Sequence, residues 1–363
     1  MYIGNEIYRK DLETALHSTV NYRKLFQKSV LVTGATGLIG SFLVDLFMYA
    51  NRQENAGIQI YALARSEKML CTRFTSIRDI PELHFVVQDV TEPLQLKERV
   101  DYIVHAAGDG FPSAFREHPV ETMTPAVLGT WQLLQYAKEA EIERLLYLSS
   151  GEVYGKSVGK VQAFTETEIG NIDSMDVRSC YSMAKRCAET LCVSFTEQYR
   201  VSTVIARLSH TYGANVSARD NRATVQFMKN AVAGQDIVLH SPGKQLRSYT
   251  YVADCVSGLL TVLLNGTSGE VYNIANAASR VTIAEFAAIV AEKSGRQCVF
   301  EQPSDSEKRE LTPIEYAVLA SDKLEDLGWN GKYDISVGVS RMLEIAEKVS
   351  SGKLREQIKL GKE

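Results

Sequence analysis

"VLVTGATGLIG", residues 30–40, is the stretch on which the fold turns. A short run of branched aliphatic residues leads straight into Gly34, Gly37 and Gly40, and an apolar stretch with helical character, "LIGSFLVDLFMYA", follows. Glycine lets the backbone turn tightly and lets another group approach it closely. A helix that starts in such a turn presents free N–H groups and the positive end of its dipole to an anion such as a pyrophosphate. Glycines also end strands for purely structural reasons. With strand, turn and helix in this order, dinucleotide binding is the stronger reading.

Working outward, residues 5–27 form a polar-rich amphipathic lead-in with helical character. Short apolar runs then alternate with longer helical stretches. The runs are "SVLVTG" (29–34), "IQIYALA" (58–64), "LHFVVQ" (83–88), "DYIVHA" (101–106), "RLLYLSS" (144–150) and "VSTVIAR" (201–207). Such alternation predicts an α/β fold, a Rossmann-type doubly wound parallel sheet with helices on both faces. Beyond about residue 207, loops rich in Gly, Asn, Asp and Pro separate short helices, which predicts a smaller carboxyl-terminal substrate lobe over the strand ends. The expected organisation is a helical extension (1–28), a dinucleotide-binding domain (29–207), a substrate lobe with returns to the sheet (208–350) and a tail (351–363).

Composition narrows the function classes. The 363 residues are 45% hydrophobic and 23% charged, which suits a chain folded throughout. A formal net charge of −4 with scattered Lys and Arg argues against nucleic-acid binding. The start, "MYIGNEIYRKDLETALHSTV", lacks the apolar run of a secretory signal, and the longest apolar runs fall short of the ~20 residues that span a bilayer. A soluble cytoplasmic protein without a membrane partner is expected. Six cysteines show no C-x-x-C pair and no histidine at a zinc-like spacing, so reduced thiols and no metal site are expected.

"CYSMAKRCAETLC", residues 180–192, concentrates three of those cysteines with Tyr181 and Lys185. Gaps of seven and five residues put Cys180, Cys187 and Cys192 on only partly overlapping helix faces, as core thiols rather than a cluster. Tyr181 and Lys185, four apart, share a face. An ammonium beside a phenol stabilises the phenolate and is expected to lower its pKa from ~10, making Tyr181 a base near neutral pH.

The G-x-x-G-x-x-G spacing together with Tyr181 and Lys185 resembles the extended short-chain dehydrogenase/reductase superfamily, specifically its nucleotide-sugar epimerase/dehydratase branch, from about residue 29 to 335. The resemblance implies that Gly34, Thr36, Gly37, Leu38, Ile39 and Gly40 surround the cofactor pyrophosphate. It sets Asp89, with Val90, at the adenine, and Ala106 and Ala107 of "HAAG" along the cofactor, which Tyr181 and Lys185 also touch. Where NAD-using relatives carry an acid after the second strand, this chain has Ala64 and then Arg65, which favours NADP and leaves NAD open.

By the same resemblance Ser150 hydrogen-bonds the reacting sugar hydroxyl and Tyr181 takes its proton, giving a 4-keto sugar as hydride passes to the nicotinamide. Glu152 matches the glutamate of 4,6-dehydratases and of UDP-glucuronate decarboxylases, while Gly151 replaces the dehydratase acid. "RSCYSMAKRCAETLC" resembles the decarboxylases, whose carboxyl-terminal arginine is unmatched; "EYAVLASDKLEDLGW" is closer to dehydratases. In the substrate lobe His210 stands where an asparagine contacts the sugar diphosphate, Arg247 matches an arginine that grips it, Asp254 the acid that follows, and Arg222 and Phe227 are expected beside the base. Ala126 replaces an asparagine that orders the active-site helix.

The leading expectation is an NAD(P)-dependent epimerase or dehydratase acting on a nucleotide-diphosphate sugar, with a UDP-sugar favoured and the cofactor recycled internally. A UDP-uronic acid decarboxylase is the second reading. A degenerate cofactor-binding sensor or scaffold is the third, and the joint retention of Ser150, Tyr181 and Lys185 counts against it. Relatives pair through the helix bearing Tyr181 and its predecessor, so a homodimer is expected.

Overall fold

The computed structural model describes residues 2–75, 80–157, 162–217, 220–302 and 314–360. Seven parallel strands form the central sheet: β1 (Ser29–Thr33), β2 (Gln59–Ala64), β3 (Leu83–Val87), β4 (Tyr102–His105), β5 (Arg144–Ser150), β6 (Thr203–Leu208) and β10 (Val271–Ile274). Their order is β10-β6-β5-β4-β1-β2-β3. The order reverses between β1 and β4, and the crevice at the carboxyl ends of those two strands is where open α/β sheets bind ligands.

Alternation along the strands feeds two cores. Val30, Val32, Ile60, Ala62, Val104 and Leu146 point to one face, against α2 (Leu38–Glu54) and α9 (Val252–Asn265). Leu31, Ile103, Leu145, Tyr147 and Ile205 point to the other, against α6 (Thr130–Glu139) and α7 (Cys180–Tyr199). Each large aliphatic or aromatic side chain so buried stabilises the fold by roughly 1.5–3 kcal/mol.

The apolar run "GLLTVLLNG" belongs to α9, in which every residue from Val252 to Leu264 is buried. A helix apolar on all sides needs cover on all sides. The sheet supplies one side, and the amino-terminal helix α1 (Glu6–Ser18) packs on both α2 and α9 on the other. Buried polar bonds fix α1: the Asp11 carboxylate accepts from the Tyr251 hydroxyl at 2.7 Å and from Arg341 Nε on the last helix, Ile335–Leu360.

The chain therefore returns to the sheet after residue 207. Among the later elements, β7 (His210–Tyr212), β9 (Leu246–Tyr251), β11 (Arg280–Thr282) and β13 (Tyr316–Ala317) make a small second sheet. The strands β8 (Ile237–Leu239) and β12 (Cys298–Phe300) pair beside it, with α8 (Ala223–Val232) and α10 (Ile283–Ser294) packed together. This lobe stands beyond the carboxyl ends of β5 and β6. Asp254, at the start of α9, accepts from the backbone N–H groups of Lys332 and Tyr333 and from Asn276, so it ties chain segments together.

Among the described residues no helix is long and apolar enough to cross a membrane. Cys180 and Cys192 are buried in α7 packing and Cys187 is exposed; no group of described residues is placed to hold a metal ion.

Candidate active site

The glycine turn is close-packed in a way only glycine allows. Gly34 has φ +64°, and a Cβ there would lie 2.6 Å from the Ala106 carbonyl oxygen; a Cβ on Gly40 would lie 2.3 Å from the Gly34 carbonyl oxygen. Turn, helix start and "HAAG" loop thus touch backbone to backbone. At Gly37, the N-cap of α2, the same test meets only the Gly34 carbonyl oxygen at 3.4 Å, so the turn is open there. The N–H groups of Leu38, Ile39 and Gly40 open the helix and have no partner within it. Leu38 and Gly40 are buried, and Thr36 and Ile39 are half-buried. This cradle fits a pyrophosphate.

Thr33 and His105 brace the loop that carries Ala106 and Ala107. The Ala107 N–H donates to Thr33 Oγ1 at 3.1 Å, Thr33 Oγ1 meets His105 Nδ1 at 2.8 Å, and His105 Nε2 meets the Pro125 carbonyl at 3.2 Å. Burial, then the Lys185 charge, pushes His105 down to about 3, so the ring is neutral. Its bond reaches a single π-helical turn, Pro125–Gly129, that holds Ala126 buried. Such turns recur at functional sites. At the far end of the crevice, Asp89 accepts from the N–H and hydroxyl of Thr91 and lies in the field of exposed Arg65, and these hold its carboxyl below the usual range. Val90 packs against Gly129.

The carboxyl end of β5 and the first turns of α7 build the reactive corner. Cys180, Ala184, Ala188, Cys192 and Phe195 bury one stripe of α7, which presents Tyr181 and Lys185 to the strand ends. The Lys185 ammonium donates to the Leu148 carbonyl at 2.7 Å and lies 5.7 Å from the Tyr181 ring centroid. Burial lowers Lys185 to about 8, with the Glu189 charge opposing the shift. Ser150 is within hydrogen-bonding reach of the Tyr181 hydroxyl.

One expectation needs correction. Tyr181 is not lowered but pushed up to about 12, first by burial, with Ser150 and Arg222 pulling down and Glu152 pushing up. Lys185 spends its short bond on a backbone carbonyl rather than on the phenol, so desolvation outweighs the cation.

Glu152 lies on a 3₁₀ turn, Gly151–Tyr154, that Ser150 caps by accepting the Glu152 N–H at 3.2 Å. Its carboxylate takes a two-pronged bond from Arg178, 3.1 Å to each oxygen. Gly151 is tightly packed: a Cβ would sit 3.3 Å from the Leu208 carbonyl oxygen and from both terminal carbons of Leu319, so these neighbours would have to give by a few tenths of an ångström to admit a side chain.

The substrate-lobe residues are placed unevenly. Arg222 bonds both Asp220 oxygens and the Thr211 carbonyl, and its charge reaches Tyr181 and His210. Burial, then Arg247 and Arg222, pushes His210 down to about 3, so it meets a ligand as a neutral ring. Arg247 is turned to the protein: 2% exposed, it donates to the Leu246 and Ile314 carbonyls. Phe227 is no base-pocket wall but a buried core residue facing Phe286, because α8 turns that side toward α10.

Three further residues at this corner carry no role in the motif reading. Phe115 stacks on Tyr181 with centroids 4.5 Å apart, Arg178 lies over the Phe115 ring at 5.8 Å, and Gly110 approaches the Tyr181 hydroxyl so closely that a Cβ would stand 3.5 Å away. The arginine three residues before Tyr181 was the only signal in the chain, and a weak one.

A cradle for a dinucleotide next to Ser150, Tyr181 and Lys185 defines a nicotinamide-dependent enzyme of the extended short-chain dehydrogenase/reductase type, working on nucleotide sugars. The model of the NAD dependent epimerase/dehydratase family matches residues 30–275, and the chain belongs to that family. Among curated proteins it is similar to UDP-glucuronic acid decarboxylase 6 of Arabidopsis thaliana, 32% identical over 338 residues, covering 90% of this chain and 92% of that protein. It is also similar to UDP-glucuronic acid decarboxylase 1 of Danio rerio, 29% identical over 322 residues, covering 88% and 72%. Among solved structures, the fold matches dTDP-glucose 4,6-dehydratase of Bacillus anthracis in complex with NAD (TM-score 0.73, 23% identity, 88% and 97% covered). It likewise matches UDP-glucuronic acid 4-epimerase of Bacillus cereus in complex with UDP-glucuronic acid and NAD (TM-score 0.74, 20% identity, 88% and 99% covered).

Proposed function

We propose that this enzyme oxidises C4 of a UDP-linked uronic acid and that the resulting ketone loses carbon dioxide. The observation that carries this reading is the pair of neighbours after β5: Glu152 gripped by Arg178, and Gly151, which carries no acid. Dehydration needs an acid to expel the 6-hydroxyl, and position 151 offers none. A carboxylate on C5 of a 4-keto sugar is a β-keto acid, which needs no such acid to depart. Similarity to UDP-glucuronic acid decarboxylases supports the same choice.

The backbone N–H groups of Leu38, Ile39 and Gly40 would hold the cofactor pyrophosphate, with Asp89 and Val90 at the adenine end and Ala106 and Ala107 beside the nicotinamide. When bound, the nicotinamide supplies the acceptor for the C4 hydride and the donor for its return. Tyr181 Oη takes the proton of the C4 hydroxyl, and Ser150 orients that hydroxyl. The C5–C6 bond then breaks, carbon dioxide leaves, and the electron pair remains as an enolate over C5 and C4. C5 then takes a proton drawn from solvent water. As C4 is reduced, Tyr181 returns its proton to the oxygen. Arg222 and His210 border the path of the sugar diphosphate, and Arg247 reaches it only by leaving its backbone carbonyls.

Arg65, exposed at the end of β2, gives a 2′-phosphate one cation and thereby favours NADP. The test is binding to Arg65→Ala: NADP should weaken more than NAD, and equal losses would contradict the preference. Free cysteines suit a reducing compartment such as the cytoplasm. We further assign a homodimer face to α5 (Pro119–Thr124), α6 and α7. Val120, Met123, Leu128 and Trp131 stay exposed, and Trp131 adjoins Phe195 of α7, which in turn meets exposed Tyr199. Inversion at C4 is the second reading, favoured by the fold match to a UDP-glucuronic acid 4-epimerase. Mass analysis of products from UDP-glucuronic acid separates the two: decarboxylation lowers the mass and inversion leaves it unchanged.

A further inference from the structure

Arg178 is the buried charge next to the reactive corner that the mechanism above leaves unused. It enters from the 3₁₀ turn Val177–Ser179, where the Asp176 side chain accepts its backbone N–H at 3.0 Å. Its side chain is 9% exposed against 21% for Glu152, so the guanidinium is the more deeply buried partner. The fork geometry, 3.1 Å to each oxygen, allows Glu152 one orientation. The same guanidinium lies over Phe115, whose other contact is the stacked ring of Tyr181.

We propose that Arg178 is a positioning residue for the reaction: it fixes the Glu152 carboxylate and offsets that negative charge at the Tyr181 phenol. Glu152 opposes formation of the phenolate, and a guanidinium in contact with both carboxylate oxygens lessens that opposition. The other groups facing Tyr181 are Ser150 on the same turn as Glu152, Arg222 ahead of α8, Tyr147 on β5 and Lys185 on its own helix. None of them contacts Glu152 with a two-pronged bond. Arg178 therefore adjusts the base through the carboxylate rather than by touching substrate.

This inference rests on the reading of Tyr181 as the base, and its test is chosen so that the two fail differently. Single-turnover reduction of the cofactor by UDP-glucuronic acid is followed against pH in wild type, Arg178→Met, Arg178→Lys, Glu152→Gln and the double variant, with melting and cofactor binding as checks of folding. Arg178→Met should move the rising limb up by about one pH unit, roughly a tenfold slower step at neutral pH. Arg178→Lys should fall between it and wild type. Glu152→Gln should move the limb down, and adding it to Arg178→Met should cancel the upward shift. An unmoved limb in Arg178→Met, or a double variant no lower than Arg178→Met, would overturn the proposal. Should Arg178→Met fail to fold, Arg178→Lys and Glu152→Gln carry the same two opposite signs. If wild type reduces no cofactor with this substrate, the substrate reading fails by itself. The proposal is then judged on the NAD-loaded protein by the Tyr181 ring-carbon resonance of ¹³C-tyrosine, assigned by its loss in Tyr181→Phe. The order of titration midpoints should be Glu152→Gln, wild type, Arg178→Met, and any other order contradicts it.

Discussion

Tyr181 and Lys185 carry opposite burdens. The phenol is held high by burial, while Ser150 and Arg222 pull it down. Tyr181→Phe should reduce turnover by roughly 10²–10⁴-fold or more while nicotinamide dinucleotide binding, followed by cofactor fluorescence, persists. Lys185 is lowered to about 8 from an unfolded value of 10.5, so its ammonium is disfavoured by the fold. Below about pH 8 that charged form detracts from stability. As pH rises from 8 toward 10.5 the unfolded chain keeps a proton that the folded one has shed, and the folded state gains. Lys185→Met should therefore raise the melting temperature near pH 7, by an amount on the order of 1–3 kcal/mol, and the gain should shrink toward pH 10. A variant less stable than wild type at neutral pH would contradict this.

At the scale of elements, the β1–α2 turn and α7 do the positioning. Gly34→Ala would place a side chain at positive φ and against the Ala106 carbonyl, so it should cost about 2 kcal/mol or more and weaken cofactor binding, as calorimetry would show. The six early strands and the turn were legible from alternation and glycine spacing, because strand burial and a helix start leave a local signature. The seventh strand, β10, was legible only as an expected return to the sheet, since four residues after a buried helix carry little pattern. Glu152 was readable as a motif residue and Arg178 was not. They are 26 positions apart, and only the meeting of the β5 end with the start of α7 brings guanidinium to carboxylate. Tyr181 and Lys185 were readable as neighbours on one helix face, but not the phenol's raised pKa, since burial is a property of the assembled site. Phe227 misled because its surrounding motif suggested a pocket, while the tertiary packing of α8 decided its direction.

For the whole molecule, α1 covers α2 and α9, and the last helix packs on α8, α10 and β9 and meets α1. Asp11 is wholly buried between Tyr251 and Arg341, so Asp11→Ala would strand a half-buried guanidinium and a buried hydroxyl and should cost about 3 kcal/mol in denaturant unfolding. The catalytic corner should keep its substrate preference in the folded fraction. The apolar stripe on α5, α6 and α7 predicts that sedimentation gives a dimer and that Trp131→Glu gives a monomer; a wild-type monomer would refute the face. Above these stands the claim that oxidation at C4 is followed by departure of the C5 carboxylate. Incubation of the purified protein with UDP-glucuronic acid and cofactor, with products weighed by mass spectrometry, tests it most directly. The account predicts a UDP-pentose lighter by one carbon dioxide, absent with Tyr181→Phe. A product of unchanged mass, or one lighter by water, would contradict it.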